Sequence, residues 1–428
     1  MSAGRSGLRD TFSSFRFRNF RLFFMGQGIS QVGNWLTLVA QSLLVLKLTD
    51  NNGFAVGLLT ACQFAPVLML GAWAGLVADR SDKRRLLVVV QAIAMLQSFA
   101  LAALAFSGNP PVWSIYAVAF VGGLTTAFDN PARRAFVVEM VPLEDVQNAV
   151  SLNSAVMTSA RIFGPALAGL LIVTVGYGWC FAVDGISYAA VIVGLLMMRA
   201  SELRAAPVAV KAKGQVRAGL RYARSKADLW VPLTMMAIIG TLTFNFSVVM
   251  PLFVKTTLGG SDTTFTILYS VVSVGSLVGA LFTARRRTIE VHDVVVGAAI
   301  FGAAMLVFSV SPGLVTSFPF AVLVGFTSIV FMTSSTAIVQ VRAEPEMRGR
   351  VLALQAIVFL GSTPIGGPLI GWICDQFGAR VGIAVGGVAA LGAAAWGYVA
   401  DSHRARSERD ADRPATVGPI TTETPLVH

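Results

Sequence analysis

The sequence predicts an all-α membrane protein in which twelve transmembrane helices form two pseudo-symmetric six-helix halves, with both termini in the cytoplasm. Three observations predict it. Of the 428 residues, 55% are hydrophobic and 13% charged, against roughly 25% charged in an ordinary soluble domain. The apolar residues gather into stretches of about 20, the length a helix needs to cross a bilayer, where a soluble core would show short runs broken by charge. The basic residues fall almost entirely on one side of those stretches.

Charge and Pro/Gly punctuation delimit twelve spans, at roughly 20–46, 54–78, 86–107, 112–130, 148–174, 178–198, 230–254, 264–284, 293–311, 314–340, 351–374 and 380–400. In a bilayer only helices or a closed barrel satisfy the backbone, and these continuous runs lack the alternation of barrel strands. An even number of spans puts both termini and every second loop on one side. All Lys and Arg except Lys47, Arg161, Lys255 and Arg380 fall there, which by the positive-inside rule makes that side cytoplasmic. The net charge of +11 is therefore a topology signal, and no nucleic-acid partner is expected. The first 21 residues hold five arginines, too polar for a signal-peptide core, so the first helix is expected to stay as an anchor.

The longest polar interruption, residues 199–229, divides the chain into an N-terminal half (1–198) and a C-terminal half (230–401), followed by a polar tail (402–428) expected to be disordered. The basic amphipathic stretch of that interruption is expected on the inner membrane surface. An internal repeat supports the division: Gly122, Pro142, Gly164 and Pro165 recur 203 residues later as Gly325, Pro345, Gly367 and Pro368. Cys62, Cys180 and Cys374 have no CxxC spacing and the histidines (His292, His403, His428) do not cluster. No disulfide framework, metal site or cofactor is expected.

The loop between spans 2 and 3 reads Gly75-Leu-Val-Ala-Asp79-Arg80-Ser-Asp82-Lys83-Arg84-Arg85. A carboxylate at a helix end can bind the positive N-terminus of a neighbouring helix, and an arginine there can bridge to carboxylates or carbonyls. In position, in Asp-Arg and in its basic cluster the loop resembles the signature of the major facilitator superfamily, with Asp82 where that family usually has Gly. The resemblance implies a gating motif of Gly75, Asp79, Arg80, Lys83 and Arg84. Asp79 would meet the cytoplasmic start of span 11 near Arg350 and Val351, and so favour the outward-facing state. In span 5, Arg161-Ile-Phe-Gly164-Pro165-Ala-Leu-Ala-Gly169 combines a helix bend with room for close approach. It resembles the Gly-Pro motif of facilitators that export drugs by antiport, with Leu170 in place of a further Gly; the bland alternative is packing. Together with Phe17-Arg18-Asn19-Phe20-Arg21, Ser30-Gln31-Val-Gly33-Asn34-Trp35 and Asp129-Asn-Pro131-Ala-Arg133, these segments resemble the branch of siderophore exporters and Tap-like multidrug efflux pumps. An acidic residue is frequent in that branch where Asn34 stands.

Charges inside the membrane are expensive and usually functional. Arg161 and Asp184 both lie at about 21 to 23 Å depth, at 1.5 Å rise per residue, and consecutive antiparallel helices could pair them. The alternative leaves Asp184 at the outer interface and Arg161 against carbonyls. Asp129 and Arg133, one helical turn apart, are a second candidate for proton coupling. Candidates for a substrate cavity are Gln27, Gln31, Asn34 and Gln41 in span 1, Gln63 in span 2, Asn153 in span 5, Asn245 in span 7 and Gln355 in span 11. Interhelical hydrogen bonding is the alternative for each.

No GxxxxGK[ST] loop is present, which excludes an ATP-driven pump of that type. Nor do catalytic groups converge, so an enzyme is not expected. The reading is a monomeric secondary active transporter in a bacterial inner membrane, partnered by lipid, protons and a small molecule. It would export a hydrophobic or amphiphilic compound, drug- or siderophore-like, by proton antiport with alternating access. An uptake, lipid or metabolite carrier of the same fold remains open, as does a channel or scaffold, although the latter leaves the repeat unexplained.

Overall fold

A computed structural model describes residues 12–204, 215–286 and 288–411. Its first six long helices are α1 (Arg18–Leu48), α2 (Gly53–Arg80), α3 (Lys83–Phe106), α4 (Val112–Glu139), α5 (Val146–Thr174) and α6 (Tyr177–Leu196). A short amphipathic helix α7 (Gln215–Ser225) precedes the seventh span, built from α8 (Ala227–Leu242), α9 (Phe246–Leu252) and a π-helical turn (Phe253–Thr257). The remaining helices are α10 (Asp262–Ala284), α11 (Val291–Ser309), α12 (Leu314–Arg342), α13 (Pro345–Phe377) and α14 (Ala379–Ala411). Among the described residues, twelve segments are long and apolar enough to cross a membrane. The side where α1 begins and α14 ends is the termini side, and the opposite one the far side.

Local chemistry sets the ends of these helices. Asn52 Oδ1 accepts the Ala55 N–H at 2.8 Å and Asp82 Oδ1 the Arg85 N–H at 3.1 Å, capping the first turns of α2 and α3. Pro345 starts α13, where its missing N–H costs nothing. Gly378, at φ +88°, makes the reversal into α14 that a side chain would strain. Two boundaries differ from expectation. α4 runs to Glu139, nine residues past residue 130, because its polar end is internally paired. α14 continues to Ala411, so the expected disordered tail begins as helix; residues 412–428 lie outside the described residues.

The helices α1 to α6 pack on one another, chiefly α2 on α4, α3 on α6, and α1 on α5 and α6. The later helices repeat the pattern: α10 on α12, α11 on α14, and α8 on α13 and α14. Between the two groups the main seams are α2 with α13 and α5 with α10. Glycine contacts fix the repeat register. A Cβ on Gly123 would overlap α2 and one on Gly325 would overlap α10; Gly164 likewise meets Trp35 of α1, and Gly366 meets Thr241 of α8. Gly169 meets Thr266 of α10, and Gly371 meets Gly53 of α2. These pairs stand one residue out of step with the register of 203 read from the sequence. Adjacent glycines (Gly122 with Gly123, Gly366 with Gly367) allow either alignment in the sequence, and packing selects one.

α7 is packed on the protein by one face. Its Ala223 is buried with Leu229, Leu233, Val339, Val351 and Leu354, and Gly219 abuts Arg350. The exposed Arg217, Arg221 and Arg224 point away. The helix is docked on the termini-side ends of α8, α12 and α13.

Candidate transport site and its gates

The far side is sealed between the two groups. Asp375, near the end of α13, accepts the Gly53 N–H at 2.6 Å and the Phe54 N–H at 2.8 Å, so a carboxylate of one group caps the first turn of α2 in the other. One turn on, Gly57 lies so close to Gly367 that a Cβ would overlap its carbonyl oxygen. Across the second seam Tyr177 of α6 donates to Asp262 of α10. Lys255 Nζ pairs with the same carboxylate at 2.8 Å, while Lys47 Nζ lies 5.5 Å from the Tyr177 ring centre. Residues 39–46 of α1 and 248–254 of span 7 are buried on every side. Sequence reasoning missed Asp375, Asp262 and Tyr177. The duplication carried a signal for Asp375: if a carboxylate ends span 2 against span 11, its counterpart should end span 11 against span 2.

Exposure along α5 shows where the seal stops. On its inward face Gly164, Pro165, Ala168 and Gly169 are buried. Toward the termini side the same face is open, with Val150 45% and Met157 42% exposed. Arg161 stands at the boundary, half-buried. Trp35, against Gly164, has its ring centre 6.1 Å from that of Tyr269 on α10.

The loop motif divides its duties. Lys83 pairs with Glu139 of α4 at 2.8 Å with both side chains largely buried. Arg84 donates through Nε to the Leu195 carbonyl at 2.7 Å and through Nη2 to the Leu196 carbonyl at 2.8 Å, meeting the negative end of α6. These two residues therefore tie α3, α4 and α6 together within one group. Asp79 is half-buried in the last turn of α2 and engaged, Gly75 is half-buried, and Arg80 is exposed.

Asp184 is 1% exposed and its partners are hydroxyls. Thr37 donates to Oδ2 at 2.7 Å, Ser98 to Oδ2 at 2.8 Å, and Ser187 to Oδ1 at 3.4 Å. Gly33 of α1 leaves the room its carboxylate occupies. The expected pair with Arg161 does not form: among the described residues Arg161 has no ion pair, and its electrostatic neighbour is Tyr269 of α10. Matching depth along consecutive helices was not enough, since α1 packs between α5 and α6 and takes the acid. Asp129 and Arg133 do pair, with Nε and Nη2 each at 2.8 Å, and Gln91 Nε2 donates to Asp129 Oδ1 at 2.7 Å. Around these groups five buried polar atoms have no protein partner: both amide atoms of Gln27, Ser30 Oγ, Gln91 Oε1 and Arg133 Nη1. Lys83, Gln91 and Ser98 place this polar seam along about 22 Å of α3.

Four of the eight proposed cavity amides, Asn34, Gln41, Gln63 and Gln355, are interhelical ties. Gln63 Nε2 donates to Gln41 Oε1 at 2.8 Å, and Tyr188 donates to Asn34 Oδ1 at 2.6 Å. Gln355 Nε2 reaches Ser335 at 3.3 Å and Thr336 at 3.2 Å. Asn245, 2% exposed, mends the break in span 7 by donating to the Thr241 carbonyl at 2.7 Å. Gln27 is buried. Gln31 and Asn153 keep partial exposure. Amides inside a bilayer protein commonly bond across to a neighbouring helix.

A family model described as transmembrane secretion effector matches residues 9–416. The chain is 24% identical over 364 residues to the staphyloferrin A transporter of Staphylococcus aureus, covering 84% of this chain and 90% of that one. It is 25% identical over 366 residues to the multidrug efflux pump Tap of Mycolicibacterium fortuitum, covering 81% and 87%. Among solved structures, a bacterial homologue of the human lysosomal transporter Spinster, inward-facing and occupied, superposes with a TM-score of 0.71 at 14% identity, covering 90% of this chain and 96% of the other. With a family match across nearly its whole length and the same helical arrangement as a solved facilitator, the chain belongs to the transmembrane secretion effector family of major facilitator transporters.

Proposed function

We propose that this transporter exports an amphiphilic small molecule from the bacterial cytoplasm by alternating access, in antiport with protons. The observation that carries the reading is the asymmetry of α5: closed from Gly164 to the far side, open from Arg161 to the termini side. The clustering of basic residues on the termini side supports its assignment to the cytoplasm, which makes the conformation inward-open in the inner membrane. Cargo would enter from the cytoplasm and leave when the Asp375 and Asp262 contacts release and the Asp79 end closes. The two six-helix groups, divided at residues 199–229, would rock as the moving bodies of a monomer. Efflux in the name of one relative, the Tap pump, supports the direction. The proton would be held at Asp184 or at Asp129, both acids on the polar seam of the first group.

The test is uptake into inside-out vesicles of a panel of drugs and siderophores, with and without a proton gradient. Accumulation that collapses with the gradient is expected. Accumulation that persists without any gradient would remove antiport, and movement only in right-side-out vesicles would reverse the direction.

A further inference from the structure

We propose that Arg161 is the anion-binding group of the transport cavity, and that the exported amphiphile presents a carboxylate or similar anionic group to it. This rests on the export reading above and names the substrate class.

Arg161 lies on α5 opposite the exposed apolar stripe Phe163, Leu167 and Leu170, so it points inward. Gly164 and Pro165, one turn toward the far side, face Trp35 and the α10 seam. Since Gly28 lies beside Val156 and Trp35 beside Gly164, α1 and α5 run in step, and Gln31 stands level with Arg161. Tyr269 closes the level from α10, 6.1 Å from Trp35 between ring centres. The open side faces the termini. Two adjoining turns of the cavity thus gather a guanidinium, an amide, a phenol and an indole.

The charge balance there is unusual. A cation at this depth is costly unless paired, yet among the described residues no carboxylate pairs with Arg161, whose electrostatic neighbour is the Tyr269 phenol. The one deep acid on the adjoining helices, Asp184, is turned to Thr37, Ser98 and Ser187 on the other side of α1. Arg161 retains its fork of donors, a geometry suited to a carboxylate or phosphate. A negatively charged cargo supplies the missing counter-ion, and Trp35 and Tyr269 offer flat faces for its apolar part. The seal above the site makes it a dead end from the termini side, so a bound anion is held at the level where the far gate must open.

Binding to purified protein, read by titration calorimetry, tests this without any gradient. Three probes share one aromatic body: 1-naphthylacetate, 1-naphthylacetamide and 1-naphthylethylammonium. The acetate is expected to bind roughly tenfold or more tighter than either of the others, the size of a charge-assisted hydrogen bond. Arg161→Gln should erase the preference and Arg161→Lys keep part of it, while Trp35→Leu weakens all three alike. Equal binding of the three probes, or no binding of the acetate, by the unaltered protein overturns the proposal without need of a variant. So does an Arg161→Gln protein that keeps the preference. A protein that binds the acetate selectively yet exports nothing from vesicles refutes the export reading and leaves the anion site standing. Export of ammonium amphiphiles as fast as carboxylates refutes the anion site alone.

Discussion

The antiparallel pair of α2 and α13 carries the same device at both ends, in two different conditions. Each helix finishes with an acid, Asp79 in the last turn of α2 and Asp375 in the last turn of α13. At the far end the device is engaged: Asp375 holds two N–H groups of α2, and Gly53, Gly57, Gly367 and Gly371 let the backbones touch. Midway along the pair a larger side chain faces a glycine, Leu68 against Gly361, and at the termini end the start of α13 is covered by α7 through Gly219 and Ala223. The difference teaches that closure is set by backbone approach as much as by charge. A carboxylate reaches a helix N-terminus only where glycine has removed the side chains between.

The hardest blow to that contrast is Gly57→Leu. A side chain there meets the Gly367 carbonyl, and overpacking of about 1 to 3 kcal/mol would hold the far side apart. Transport should fall at least severalfold, and maleimide labelling of Thr266→Cys in a cysteine-free background should rise. Unchanged labelling would mean the glycines are not what closes the far side.

Asp375→Asn comes next. Two charge-assisted hydrogen bonds weaken, at roughly 1.5 to 3 kcal/mol each when charged, and the same labelling should increase by about tenfold or less. An accessibility that stays put would leave Asp262 and its partners as the whole of the far latch.

Asp79→Asn sharpens the comparison from the other end. If Asp79 latches the termini side, its loss should lower transport, leave membrane insertion intact and reduce Thr266→Cys labelling. The double variant Asp79→Asn with Asp375→Asn should lie between the singles. Labelling that follows the Asp375 variant whatever stands at 79 would deny Asp79 a gating role.

The smallest effect belongs to the exposed clasp of Lys226 and Glu344, 2.6 Å apart at the docked end of α7. The hydrogen bond to Glu344 raises the Lys226 pKa and the same bond lowers that of Glu344. Its contribution is present across neutral pH. It is lost on the acid side as Glu344 protonates below its ordinary 4.5, and on the alkaline side as Lys226 deprotonates above its ordinary 10.5. Solvent screening keeps it small. Lys226→Met should leave the thermal midpoint at pH 7 almost unchanged, and a clear drop would show that α7 docking depends on this pair.

Length and polarity made the twelve spans legible, and helical spacing made the Asp129–Arg133 pair legible, because both are properties of one helix. What failed concerned neighbours. Depth placed Asp184 and Arg161 at one level but said nothing of azimuth, and α1 stood between them. Amides such as Asn34, Gln63 and Gln355 looked free for cargo until their partners on adjacent helices were in place. Asp375 went unnoticed because the N-terminus it caps lies more than 300 residues away in the chain.

The opening along α5 also has an electrical meaning. In the proposed inward-open state, solution on the termini side would reach to Arg161, about 21 Å into a core of roughly 30 Å. The membrane potential therefore drops chiefly across the remaining sealed third, where a unit charge gains or loses about 2.3 kcal/mol per 100 mV. A charged cargo would reach Arg161 almost without sensing the voltage. Nearly all of its electrical work would be done in the last step outward, past Gly164 and the glycine seam.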